Sequence, residues 1–440
     1  MQYANKMKIR LTILAVASLV ALFALESCDK SDIISDDIQQ QTGGSRVIAV
    51  SFQNNSTKTE LDVLQPKFKA NDIIKVANGT DEPEECAVSI DGDGNATIST
   101  DLTGSLIAVY PASAAKVSGN AIVGVIVPSI QDGTFASANI CKAEIDAGAT
   151  SATFENQTAV FKLYVPEKVD EKGVDYDVKS VEVISSGNNI AEGSRTINVG
   201  DGTSTITDTD GFCYVSLLPG ETANNIAVRA GEGQRNLTGS DEIGKNKIYS
   251  VGLPVLNGHE YVEFTLTVAE TTKVYKWATC NIGASSSHDF GRYFAWGDVV
   301  GQTWIEGTGW SNGGFFDTPD VGGSVSSLPI GYDAARANWG AGWRIPDKDE
   351  YIGLLKCGYT RDGYNLKVSQ DNHSIFFPAA GIGSGSQCNH KGTEVDYWSS
   401  SVSSEEHSVT LNVGFVSVSP LILTISSTWE TGLSVRAVSE

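Results

Sequence analysis

The chain has 440 residues, with 31 Lys and Arg against 53 Asp and Glu, a formal net charge of -22. An excess of carboxylates this large repels nucleic acid and anionic lipid headgroups, which excludes a nucleic-acid partner and electrostatic docking on membranes. The length accommodates about two to four domains, and 45 glycines with few helix-period stretches favour an all-β majority.

At the N-terminus, Lys6, Lys8 and Arg10 precede an apolar run over residues 11–25, closed by Leu25-Glu26-Ser27-Cys28. The run is shorter than the roughly 20 residues of a membrane span and suits the core of a secretory signal. Its end resembles a bacterial lipobox, from which Glu26 departs. Residues 1–28 therefore read as a lipoprotein signal peptide with Cys28 as the lipidation site; the alternative is an ordinary signal peptide with an incidental cysteine. Stable anchoring needs more than one acyl chain, which the triacylated cysteine of bacterial lipoproteins supplies. Residues 29–45 are acidic and polar with little to bury, a flexible tether. The acidic residues just after Cys28 resemble an export signal that places lipoproteins on the outer face of Gram-negative cells. An exported chain at the outer membrane or in a surface filament is expected, touching membrane through its lipid only.

Cys86, Cys141, Cys213, Cys280, Cys357 and Cys388 follow. Export permits disulfides, and the spacing does not choose between the pairings and buried free thiols.

From residue 46 the chain is a succession of short β-type runs separated by Gly, Asn, Asp and Pro. Runs at 47–52, 73–76, 88–90, 96–99, 106–110, 122–127 and 160–165 form one set; runs at 178–184, 196–199, 212–218, 226–230 and 247–253 form another. The break at 166–173 separates them. This spacing predicts two tandem antiparallel β-sandwiches, residues 46–165 and 166–258. Residues 261–269 alternate strictly, with Val262, Phe264, Leu266 and Val268 on one face, and lead into residues 259–440, where all eight tryptophans fall.

Two resemblances follow. Thr57-Lys58-Thr59-Glu60-Leu61, the stretch from Phe68 through Ala70-Asn71-Asp72-Ile73 to Val76, Ala108-Val109-Tyr110-Pro111 and Ala159-Val160-Phe161-Lys162-Leu163 resemble the N-terminal domain of fimbrillin-family lipoproteins; Tyr214-Val215-Ser216-Leu217-Leu218-Pro219-Gly220 and Lys245-Asn246-Lys247-Ile248-Tyr249 resemble its second domain. The family implies pilus subunits as partners, joined by β-strand exchange after a trypsin-like protease cuts near the first strand. Arg46, before Val47, is the cleavage candidate. An unpaired sheet edge is satisfied by a foreign strand in such assemblies. Residues 432–438 match an internal core strand, which makes the chain a terminal subunit on this reading.

In the C-terminal part, Trp277-Ala278-Thr279-Cys280-Asn281, Tyr293-Phe294-Ala295-Trp296-Gly297-Asp298, Trp343-Arg344-Ile345-Pro346, Phe377-Pro378-Ala379-Ala380-Gly381, Tyr397-Trp398-Ser399-Ser400 and Ser434-Val435-Arg436-Ala437-Val438 resemble the Fibrobacter succinogenes major paralogous domain. That domain is a branch of the formylglycine-generating-enzyme and C-type-lectin-like folds. The resemblance implies an α+β C-type-lectin-like domain over 259–440. Within it, Asp347 and Glu350 form a capping-box pattern; Tyr351, Leu354 and Leu355 then share a helix face, and Gly358 supplies the stop. Trp339 and Trp343 flank a Gly-Ala-Gly turn, where a helix cannot continue.

The long insertion at 299–331 carries Trp304, Trp310, Phe315 and Phe316, the candidate ligand-binding residues. Aromatics on such a loop stack on the apolar face of a sugar ring; the alternative is that they cap the domain's own core. Catalytic motifs of the common hydrolase, metalloprotease and phosphate-binding types are missing, so no enzyme and no cofactor is expected. Asp91-Gly92-Asp93-Gly94-Asn95 opens like a calcium loop, but Leu102 stands where a bidentate Glu belongs, and a tight turn is the better reading. His373, Cys388, His390 and His407 have irregular spacing, so no metal is assigned. Two functions remain: a fimbrial component, in particular a tip adhesin presenting the lectin-like domain to a host or bacterial surface glycan or protein, or a non-polymerising surface lipoprotein that binds glycans.

Overall fold

The computed structural model describes residues 45–53, 66–314, 316–321, 325–404, 407–413 and 426–440. Cys28 and the tether up to residue 44 lie outside them. The chain is mainly β. Among the described residues no helix is long and apolar enough to cross a membrane.

The first strand, Arg46–Phe52, alternates exposed and inward side chains, with Ile48 and Val50 buried. It pairs antiparallel with Ala96–Thr100 and parallel with Ser151–Asn156. These belong to an eight-stranded sheet in the order Glu84–Ala87, Ile73–Ala77, Leu106–Tyr110, Cys141–Ile145, Ser151–Asn156, Arg46–Phe52, Ala96–Thr100, Ser89–Ile90. The sheet folds over itself. Thr100 Oγ1 donates to Glu84 Oε2 at 2.5 Å, joining strands from opposite ends of the order, and both halves contribute to one core of Ile48, Ile74, Val76, Ile98, Ala108 and Phe154. Each of the larger of these side chains contributes roughly 1.5–3 kcal/mol relative to exposure. The parallel pair was not expected: alternation fixes which face of a strand is buried, but says nothing of the direction of its neighbour. The Asp91 turn closes a hairpin, with the carboxylate accepting from its own turn's amides of Asp93 and Asn95 at 2.9 and 2.8 Å.

The second region is a sandwich. One layer has three strands, Cys213–Leu217, Ala159–Tyr164 and Lys247–Gly252. Facing it, across a core of Phe161, Leu163, Val183, Ile197, Val215 and Val228, lie Ile130–Gln131, Thr196–Val199, Val181–Ser185, Ile226–Ala230 and Gly233–Asn236. The strand Ala159–Tyr164, placed with the first sandwich by the sequence reading, is the centre of this layer and pairs with Cys213–Leu217 and Lys247–Gly252. The chain leaves the first sheet one strand earlier, at the Asn156 turn, where Asn156 Oδ1 accepts from Thr158 N at 2.8 Å. An apolar run announces a strand, not its partners.

A larger departure follows. The second sandwich's outer layer does not stop at residue 258. Gly233–Asn236 meets His259–Val268 in parallel, with Gln234 opposite Val262; His259–Val268 forms a hairpin with Thr271–Asn281, and Arg436–Ser439 pairs on the far side. One nine-stranded sheet thus runs from the second region into the third. Val262, Phe264 and Leu266 share the buried face, as the alternation requires.

Against that face packs the helix Lys348–Lys356, through Tyr351, Leu354 and Leu355. Its capping box is formed as read: Glu350 N donates to Asp347 Oδ1 and Asp347 N to Glu350 Oε2, both at 2.8 Å. A second, shorter helix, Ala334–Trp339, was not anticipated. Asp333 caps it, accepting from Ala335 N and Arg336 N at 2.9 and 3.1 Å, and Gly340 at φ +95 ends it. The Trp339 and Trp343 rings meet edge to face beyond that glycine, 5.7 Å between centroids. A five-stranded sheet, Tyr293–Phe294, Leu433–Ser434, Val395–Ser404, His407–Val413 and Ser426–Thr428, completes this region.

Candidate functional site

The insertion folds into a two-strand hairpin, Trp304–Ile305 against Gly309–Trp310, which sets Trp304 opposite Trp310. The ring of Trp310 is the hub. It takes Trp304, Phe316 and Tyr293 edge to face, each 5.0 Å between centroids. Glycines make room for it: a Cβ on Gly383 would lie 2.6 Å from the Phe316 ring and 2.9 Å from that of Trp310, and one on Gly432 would collide with Phe316. Tyr293 is fixed from behind by donating to Ala380 O at 2.5 Å.

Packing at this density leaves Trp310 7% and Phe316 6% exposed. These two rings build core, as the alternative reading of the insertion has it, and offer no face to a ligand. Phe315 lies outside the described residues. Trp304 is half-buried, braced on Trp310 at one edge while its Nε1 donates to Glu306 Oε2 at 3.4 Å. The Glu306 carboxylate is 2.5 Å from Lys391 Nζ, and Val300 and Ile305 are exposed beside the hairpin strand. A rigidly seated indole next to a surface carboxylate and ammonium can stack one ring and hydrogen-bond its substituents.

Glu306 and Lys391 were not singled out in the sequence. Glu306 is within two residues of Trp304 in a hairpin tip, a signal that could have been read. Lys391 is 85 positions away, and no local pattern links the two. Trp429, also half-buried, stacks on Trp296 at 4.7 Å and 18°.

Arg46, the cleavage candidate, is the first residue of its strand and is held on three sides. Its guanidinium donates to Ala149 O at 2.6 and 3.1 Å, to Asp146 O at 2.8 Å and to Gly104 O at 3.0 Å. Val47 beside it is 59% exposed. A bond cut between them would leave residues 47–52 paired on both sides.

His373 packs on Phe264 at 5.0 Å, and burial lowers its pKa. His390 pairs with Glu394 at 3.5 Å. Among the described residues no three His, Cys, Asp or Glu side chains gather as a metal site, and the six cysteines after Cys28 are free. Two buried ionisable groups stand out. Asp396, 3% exposed, accepts from Asn412 Nδ2, but its second carboxylate oxygen has no partner; burial pushes its pKa up to about 6. Arg436, fully buried, has no carboxylate within ion-pair distance among the described residues. It donates instead to Ala278 O, Thr279 O, Phe376 O and Asn281 Oδ1 at 2.6–3.0 Å, with its guanidinium carbon 4.9 Å above the Phe377 ring.

No family model matches the chain, and no curated protein matches it. Solved structures similar to it include a fimbrial protein from Bacteroides ovatus, 11% identical, covering 90% of this chain and 99% of that one at a TM-score of 0.27. A fimbrial assembly protein from Parabacteroides distasonis is 12% identical, covering 53% of this chain and 95% of that one at a TM-score of 0.26. Alignments this loose assign the chain neither a family nor a function.

Proposed function

We propose that this chain is a non-enzymatic cell-surface fimbrial component, a terminal adhesin whose first two β regions carry a lectin-like C-terminal region that contacts a glycan or protein ligand through Trp304. The observation that carries this reading is the seating of Trp304. Tyr293, Gly383 and Gly432 accommodate Trp310 and Phe316, and the product of that packing is one half-buried indole, Trp304, beside Glu306 and Lys391. The partner subunits would be engaged by β-strand exchange at the first region, and Cys28 would carry the lipid before assembly.

A second reading, a lipid-tethered surface protein that binds glycans and never polymerises, is favoured by the state of Arg46. A trypsin-like protease needs an extended, unpaired segment, whereas this residue is the hydrogen-bonded start of an inner strand. Moreover, among the described residues a cut there removes only Ser45 and Arg46 and leaves residues 47–52 in the sheet.

The experiment is the N-terminal sequence and intact mass of the chain from sheared surface filaments and, separately, from the outer membrane. A filament form beginning at Val47, without lipid, supports the pilus route. A form confined to the membrane and beginning at acylated Cys28 sinks it and leaves the tethered binder. On a glycan and surface-protein array, Trp304→Ala should abolish the wild-type signals while the melting temperature stays within a few degrees; unchanged signals would remove Trp304 from both readings.

A further inference from the structure

The contact that joins the second and third regions in one sheet is thin. Only Gln234 and Val262 are in register between Gly233–Asn236 and His259–Val268; the side-chain ties beside that rung, Glu232 with Ser287 at 2.8 Å, Gln234 with Asn372 at 3.3 Å and Arg235 with Glu263 at 3.7 Å, lie along the same strand, and a single line of contacts acts as a hinge. Around it lies a clasp. Residues 166–177, the break between the two sets of strands, run past the C-terminal end of the helix Ala334–Trp339. There the Asp170 carboxylate accepts from Ala341 N and Lys172 Nζ donates to Ala337 O.

Asn257 ties its own turn to two other segments with its side chain and its backbone carbonyl. Its Oδ1 accepts from Val169 N at 2.6 Å, its Nδ2 donates to Trp339 O at 2.9 Å, and its own carbonyl accepts from Val174 N at 3.0 Å. It is 1% exposed and adopts φ 51, a conformation that Asn tolerates better than most residues. Gly340 is required for the closeness of this approach, because a Cβ there would collide with the Asp170 carboxylate and lie 2.6 Å from Asn257 Nδ2. Two ring contacts complete the joint: Trp343 Nε1 donates to Leu256 O at 3.1 Å, and the His259 ring stacks on Trp339 at 3.9 Å.

We infer that residues 166–177 are a strap that locks the orientation of the C-terminal region on the second sandwich, with Asn257 as its pin and Asp170 and Lys172 as its catches on the helix end. With the strap closed, the two regions move as one body. With it open, the third region swings about the Gln234–Val262 rung, and the angle at which it is presented is no longer fixed. The inference does not depend on the ligand or on polymerisation.

The test uses the full chain with nitroxide labels on non-natural residues at the exposed positions Thr203 and Thr360, read by pulsed dipolar spectroscopy, together with amide hydrogen exchange. The wild type should give one narrow distance distribution. Asn257→Ala should widen it at least twofold and speed exchange at Val169, Val174 and Ala341 at least tenfold, with exchange in Arg46–Phe52 unchanged. Should Asn257→Ala fail to fold, Asp170→Ala with Lys172→Gln carries the test, because Lys172 is exposed and Asp170 only half-buried. A broad wild-type distribution overturns the inference. So does a variant whose strap amides exchange faster while the distribution keeps its wild-type width, since the orientation would then be set elsewhere.

Discussion

The first and third regions solve the same problem by different means. In the first, an eight-stranded sheet buries aliphatic side chains against one another, and few buried polar groups specify who pairs with whom. In the third, large rings and charged groups are buried and several reach particular backbone atoms: Trp398 Nε1 donates to Phe294 O at 2.7 Å, Trp296 Nε1 to Ser399 O at 3.0 Å, and Arg436 to three carbonyls, while Trp277 Nε1 and Trp310 Nε1 have no partner. Apolar contacts are interchangeable and tolerate a change of neighbour; a buried donor left without its acceptor costs about 1–3 kcal/mol. The third region is therefore pinned to one arrangement, whereas the first is held together by area.

That contrast can be broken by substitution. The largest effect is expected for Trp310→Ala, a loss of about 3–5 kcal/mol read as a shift in the denaturation midpoint. Trp304→Ala, its opposite number in the hairpin, should cost less than about 1 kcal/mol. Equal losses would mean that Trp304 is core as well. Arg436→Met keeps the volume but strips donors from four acceptors and should cost at least about 3 kcal/mol. Arg46→Met also loses backbone bonds, but at the rim of a sheet where water replaces them, and should cost about 1 kcal/mol or less.

Asp396 gives the comparison a pH dependence. Its pKa of about 6 in the folded chain is above the ordinary value near 3.9, so the folded state binds its proton more tightly than the unfolded one. The stability this contributes is complete below about pH 4 and is lost as pH rises through 6. Asp396→Asn should remove that slope; a slope that persists in the variant would refute the assignment. Ile98→Val in the first region should cost about 1 kcal/mol.

These differences also explain what could be read in advance. The capped helix at Lys348–Lys356 was legible because Asp347 and Glu350 satisfy each other within one turn. The strand Ala159–Tyr164 was legible as a strand and was put in the wrong sandwich, since its alternation is equally good against either core. The helix Ala334–Trp339 hid behind its brevity. Of the candidate site, the aromatics were found but not their roles: whether a ring lies over or under a hairpin depends on Gly383 and Gly432, which come from segments distant in the chain. Lys391, joined to Glu306 only through space, had no sequence signal at all.

The nine-stranded sheet has a consequence for any attempt to divide the molecule. Residue 258 looks like a natural place to separate the β regions from the tryptophan-rich part, yet Gly233–Asn236 is an inner strand only because His259–Val268 covers it. A chain ended there would bare a row of unpaired amides and carbonyls, the kind of edge that templates self-association. The third region shields that edge, and recombination that exchanged it at this point would have to supply another strand to take its place.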